Sequence, residues 1–171
     1  VCNLQVTPPN YRHIIELAQR YRQVRFVLNH FGLPKGAGIA PEDVASGGLD
    51  EARLLDNLFV KVSAYYSVAD TPWDHRCPTA LAYLYRLRDL LGAERLMFGS
   101  DWPPAGRQLT YRQIVEIVRT EATELTEAEK AAILGETAAR VYGIWPFRQG
   151  VRLLCRIQPR PALVRSRPQT G

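Results

Sequence analysis

RLMFGSDWP, residues 95–103, decides how the rest of the chain is read. Its first residues form a short apolar run suited to a β-strand. It ends in Gly-Ser-Asp-Trp-Pro, a turn-forming sequence with one carboxylate, Asp101, near its tip. Working outward, earlier runs have the same shape. RFVLNH (25–30) is continuous and apolar until it reaches Asn29 and His30, and LFVKVSAYY (58–66) ends in the pair Tyr65 and Tyr66. CNLQV (2–6) reads as a further strand, closed by the turn sequence TPPN (7–10).

Helical stretches separate these strands. Ile14, Leu17, Ala18 and Tyr21 fall at helical spacing behind Asn10, a suitable N-cap. A Gly-rich loop from Gly32 to Gly48 precedes a helix over about 50–57. The helix over about 79–91 is placed to end at Gly92. Two more helices, about 110–121 and 127–141, follow the last strand, and Thr126 with Glu129 forms a capping box. Strand followed by helix, repeated four times, predicts an α/β fold with parallel strands joined by crossovers. In such folds active sites gather at the C-terminal ends of the strands. His30, the Tyr65/Tyr66 pair and Asp101 all fall there.

Composition narrows the class. The 171 residues suffice for one domain with a sizeable core, and 46% hydrophobic with 23% charged residues is a globular balance. No apolar run approaches the roughly 20 residues of a membrane span, so no membrane partner is expected. The opening residues VCNLQVTPPN lack the charged start and apolar stretch of a signal peptide. They begin at once with a strand and without Met, the pattern expected of a fragment. Cys2, Cys77 and Cys155 are odd in number and far apart, which argues against a disulfide framework or a zinc-thiolate site. A reducing cytoplasm is the expected setting.

The net charge of +5 is unevenly spread. Residues 148–171 hold six arginines and no acidic residue, which leaves residues 1–147 at −1. The expected organisation is therefore a nearly neutral body over 1–147 and a basic, Arg/Pro-rich, disordered tail over 148–171. The tail has no interleaved aromatics and the body no nucleic-acid module, so no specific nucleic-acid partner is expected. GLPKGAG (32–38) lacks the spacing of a phosphate-binding loop and reads as a mobile loop over the site.

FVLNHFGLP (26–34), VKVSAYY (60–66), RLMFGSDWP and the closing AAILGETAARVYGI (131–144) together resemble the amidohydrolase-related branch of the amidohydrolase superfamily, over about residues 1–145. The resemblance implies a distorted (β/α)8 TIM barrel, with these four strands as about five to eight. It implies lactonase, amidohydrolase or non-oxidative decarboxylase chemistry. It places the family's strand-eight aspartate at Asp101 and its strand-six histidine at His30. The family's strand-one HxH pair has no counterpart anywhere in this sequence. The chain is therefore expected to be the C-terminal half of such a barrel. Thr137 stands where the family usually carries Asn, and the tail matches no part of it.

Opening a lactone or amide needs a base for water and a group that polarises the carbonyl. Asp101 is the candidate general base; His30 is the candidate carbonyl polariser or metal ligand. The two together could hold a divalent metal, Zn or Mn, although catalytic zinc sites use about three protein ligands. Ser63, Tyr65, His75 and Trp102 are the candidate substrate contacts. Strand alternation would put Lys61, Ser63 and Tyr65 on one face, and His75 lies in a loop beside Trp73 and Asp74. Each has a plainer role open to it: Asp101 as a turn former, His30 held by backbone, Ser63 and Tyr65 as barrel packing, His75 as a solvated loop residue. His13, mid-helix, receives no role.

The expected substrate is a small cyclic ester or amide of a carboxylated or sugar-derived compound. Decarboxylation is the runner-up within the family. The alternative of another class is a non-catalytic half-barrel, which would self-associate or pair with a missing N-terminal half. The chain alone is expected to be inactive.

Overall fold

The computed structural model describes residues 1–70 and 74–144. The Arg/Pro-rich tail, the boundary at residue 147 and Trp73 lie outside the described residues. Strands β1 (Cys2–Leu4), β2 (Phe26–Leu28), β3 (Leu58–Val62) and β4 (Leu96–Phe98) lie side by side in chain order. Every pairing is parallel, with Val27 opposite Asn3 and Phe59, and Lys61 opposite Met97. The alternation read from the sequence is thus the topology found.

β2 and most of β3 and β4 are apolar on both faces because both faces are covered, whereas Asn3 of β1 is exposed. Leu28, Leu58, Val60, Val62 and Leu96 pack outward in one cluster with helices α1 (Tyr11–Arg20) and α3 (Pro78–Leu91). Val27, Phe59 and Met97 point the other way and form a second cluster with Val141 of the last helix, α6 (Thr137–Tyr142). That helix is anchored near the strands' N-terminal ends, where Arg25 donates to the Val141 carbonyl at 2.7 Å. The inner face is therefore apolar at its base and polar above.

Helix α1 buries Tyr11, Ile14, Ile15 and Ala18, an i, i+3, i+4, i+7 stripe. Two sequence expectations fail here. Leu17 and Tyr21 are exposed, because Tyr11 and Ile15 complete the apolar stripe instead. Asn10 makes no side-chain cap bond, because a 3-10 turn over Pro8–Asn10 feeds straight into the helix and leaves it helical φ/ψ.

The helix expected over 50–57 is a 3-10 turn, Asp50–Leu54. Its neighbourhood buries Leu49, Ala52 and Leu55, a spacing of three that fits three residues per turn better than 3.6. Buried Asn57 ends the connection, its amide donating to the carbonyls of Ala18, Tyr21 and Val24. After β3 comes a one-turn helix, α2 (Tyr65–Val68).

The C-terminal stretch holds α4 (Tyr111–Glu116) and α5 (Glu127–Ala131) before α6, with wide π turns over Ile117–Glu121 and Ala132–Glu136. The expected Thr126/Glu129 capping box is present, and Thr110 with Gln113 forms a second. Thr137 is fully buried, its hydroxyl 3.2 Å from the Glu94 carbonyl. Among the described residues no helix is long and apolar enough to cross a membrane.

Candidate active site

Each of β2, β3 and β4 is followed by a non-glycine residue in left-handed backbone: His30 (φ 56°), Ala64 (φ 55°) and Asp101 (φ 53°). Such residues cost roughly 1–3 kcal/mol each, persist only where packing enforces them, and gather at functional sites. Here the enforcing contacts are visible. Phe31 follows His30, is fully buried, and meets the Tyr65 ring edge-on at 5.3 Å. Tyr11 donates its hydroxyl to the Gly32 carbonyl at 2.5 Å, and a Cβ on Gly32 would stand 2.3 Å from that same oxygen. Only glycine fits there, and the bend that turns His30 off the strand is fixed.

Ala64 has a comparable effect after β3. Ser63 continues the inner face of the strand beside Lys61, and the left-handed Ala64 then starts α2. Tyr65 goes into the core, 1% exposed, while half-buried Tyr66 faces the site. Just past the end of β4, Gly99 lies under the Lys61 stem. A Cβ there would come within 2.9 Å of the Lys61 Cγ and Cδ and of Ser63 Cβ.

These turns bring four side chains into one chain of contacts. His30 Nδ1 lies 2.9 Å from Ser63 Oγ, and His30 Nε2 lies 3.9 Å from Asp101 Oδ1. The latter is too long for a hydrogen bond and leaves the two atoms facing across a gap. Tyr66 donates its hydroxyl to Asp101 Oδ2 at 2.6 Å. That bond, more than the burial and the Asp101 charge that add to it, pushes the Tyr66 phenol up to about 12; Arg107 pulls the other way. A cleft of about 390 Å³ opens over the group, lined also by Asn29, Lys61 and Trp102. His30 and Asp101 side chains are each 19% exposed, sheltered but reachable.

Of the candidate residues, His30, Ser63, Asp101 and Trp102 line this cleft. Trp102 is half exposed at its rim and stacks edge-on with Tyr111 at 6.1 Å. Tyr65 is a correction: strand alternation stops at Ala64, so Tyr65 packs in the core with its hydroxyl unpartnered. His75 is another, exposed on a turn and not among the cleft residues. Sequence reasoning missed Tyr66 as a site residue. No local signal marks the left-handed turn at Ala64 that exchanges the two tyrosines.

Among the described residues that line the cleft, His30 and Asp101 are the ones with ordinary metal-ligand groups. Two zinc bonds of about 2.0–2.2 Å can span their separation, so both fit one divalent ion. They fit as part of a set: among the described residues no group of three or more His, Cys, Asp or Glu side chains could hold an ion.

The amidohydrolase family model matches residues 1–144. The chain is 32% identical over 127 residues to an L-fucono-1,5-lactonase of Burkholderia multivorans, which covers 69% of this chain and 43% of that protein. Its fold matches the crystal structure of an amidohydrolase of Burkholderia multivorans with bound zinc, at TM-score 0.67 and 26% identity, over 82% of this chain and 51% of that one. It also matches a candidate 2-pyrone-4,6-dicarboxylic acid hydrolase of Pseudomonas putida, at TM-score 0.65 and 25% identity, over 84% and 52%. The chain thus spans about half the length of the proteins it resembles, as four strands of an eight-strand barrel would.

Proposed function

The chain belongs to the amidohydrolase family, and from that premise we propose that it carries the His30–Asp101 part of a site that hydrolyses small sugar-derived lactones. The observation that carries this reading is the facing pair itself, Nε2 and Oδ1 at 3.9 Å in a sheltered cleft. The similarity to a fuconolactonase supports the lactone substrate.

In the proposed reaction Asp101 Oδ1 takes a proton from water as the water oxygen bonds to the lactone carbonyl carbon. The tetrahedral adduct then collapses, the ring C–O bond breaks, and the departing ring oxygen takes the proton back from Asp101. The product is the open hydroxy acid. His30 steadies the carbonyl oxygen from the opposite side. Ser63 can support either of two histidine tautomers. Donating to Nδ1, it leaves Nε2–H as a donor to the carbonyl. Accepting from Nδ1–H, it leaves the Nε2 lone pair for a cation. A divalent ion such as Zn or Mn, held by His30, Asp101 and further donors, would supply Lewis-acid polarisation when bound.

Because the chain supplies two of about three ligands, we expect it to be inactive alone. The test is to assay lactone opening, with L-fucono-1,5-lactone as probe, by the chain and by its fusion to the N-terminal half of the Burkholderia lactonase. Turnover by the fusion that is lost in Asp101→Asn is the expected result. A fusion that folds yet turns over no lactone would sink the reading, and release of CO2 from an aromatic carboxylate would replace it with decarboxylation.

A further inference from the structure

We propose that Tyr66 is the positioning residue of this site: it holds Asp101 Oδ2, so that only Oδ1 is presented to a ligand lying between Asp101 and His30. The inference rests on the reading that this pair acts on one ligand.

A carboxylate offers two equivalent oxygens and turns easily about its last torsion. Here the two are made unequal. Tyr66 Oη donates to Oδ2 at 2.6 Å, while Oδ1 faces the His30 ring at 3.9 Å. Among the described residues this is the one hydrogen bond to the Asp101 side chain. The histidine is fixed from its far side by Ser63 at 2.9 Å. Both members of the pair are thus tethered through the atom that does not face the gap.

Tyr66 can act as a fixed point because of where it sits. It belongs to α2, a different βα unit from Asp101, and that single turn is nailed down by Tyr65 and Val68, each 1% exposed. A phenol has one proton to donate and a rigid ring to carry it, so it fixes direction as well as distance. The cost is chemical: a carboxylate that accepts a strong hydrogen bond is a poorer base. Geometry is what the site gains in exchange, as partners of metal- or substrate-binding groups commonly provide.

The test compares the intact chain with Tyr66→Phe, which removes one oxygen from a half-buried ring and should leave the thermal midpoint nearly unchanged. In crystals of the variant, the Asp101 carboxylate is expected to rotate or split between two orientations. A carboxylate that keeps its place overturns the proposal. In whichever polypeptide turns over L-fucono-1,5-lactone, this chain or the fusion above, kcat should fall roughly ten- to a hundredfold with KM within about twofold. A raised KM at constant kcat would instead make Tyr66 a substrate contact and also overturn it. If neither polypeptide opens the lactone, the hydrolase reading fails on its own, and the carboxylate orientation in the variant crystal still decides the role of Tyr66.

Discussion

His30 Nε2 and Asp101 Oδ1 meet at 3.9 Å although their strands are not neighbours: β3 lies between β2 and β4. Strand spacing alone would hold the two backbones roughly 9–10 Å apart. The left-handed turns at both strand ends lean the side chains toward each other above β3, with Ser63 beside the His30 ring.

Replacing Asp101 by Asn keeps the shape and removes the base. Lactone opening by a polypeptide that shows it should fall about 10²–10⁴-fold. The variant should retain its circular dichroism spectrum. Activity within tenfold of the parent would remove Asp101 from the reaction.

Ser63 contributes through His30. With the hydroxyl gone in Ser63→Ala, His30 Nδ1 loses its partner and the ring loses the tether on its far side. We expect kcat to drop about tenfold and Ser63→Thr to recover part of the loss, measured on the same lactone. Equal rates for parent and alanine variant would show that His30 needs no such partner.

Gly99 tests the packing under the cleft. Its backbone is not left-handed, so Gly99→Ala acts by volume alone, placing a methyl 2.9 Å from Lys61 and Ser63. Overpacking of this kind costs about 1–3 kcal/mol. Denaturant titration should show that loss together with impaired turnover. A neutral effect would mean that the Lys61 stem moves aside freely.

The segment after β2 is clasped to the segment after α2 in a pH-dependent way. Lys35 donates to the Ala69 carbonyl at 2.5 Å and to Asp70 at 2.8 Å, and Thr79 donates to the other Asp70 oxygen at 2.5 Å. The Lys35 bond, then that from Thr79, holds the Asp70 carboxyl below the usual carboxylate range. A group whose pKa is lowered by folding stabilises above its unfolded value and loses that contribution as pH falls through the folded one. The parent and Asp70→Asn should therefore differ in thermal midpoint at neutral pH and converge in acid. A gap that persists under strongly acidic conditions would contradict the clasp.

The sheet as described ends in β1 on one side and β4 on the other. Unpaired parallel edges favour pairing with another chain. Light scattering should find the isolated chain self-associated, and a compact monomer would count against an open half-barrel.

Much of this was legible in the primary structure. Apolar runs that end in polar residues, at βα spacing, give four parallel strands, because a strand buried on both faces must be apolar throughout and can return only through a crossover. The same runs put His30 and Asp101 at strand ends. The sequence by itself therefore determined the order of elements and the placing of these two side chains at one end of the sheet.

Tertiary structure decided which neighbours join them. Strand alternation assigned Tyr65 to the site, but one left-handed residue, Ala64, ends the period-two rule and exchanges Tyr65 for Tyr66. Local sequence cannot reveal that turn, because its strain is tolerated only through contacts from distant segments, such as the Phe31 ring against Tyr65. Likewise the 3.9 Å gap follows from how far two bends lean, a quantity set by packing between βα units.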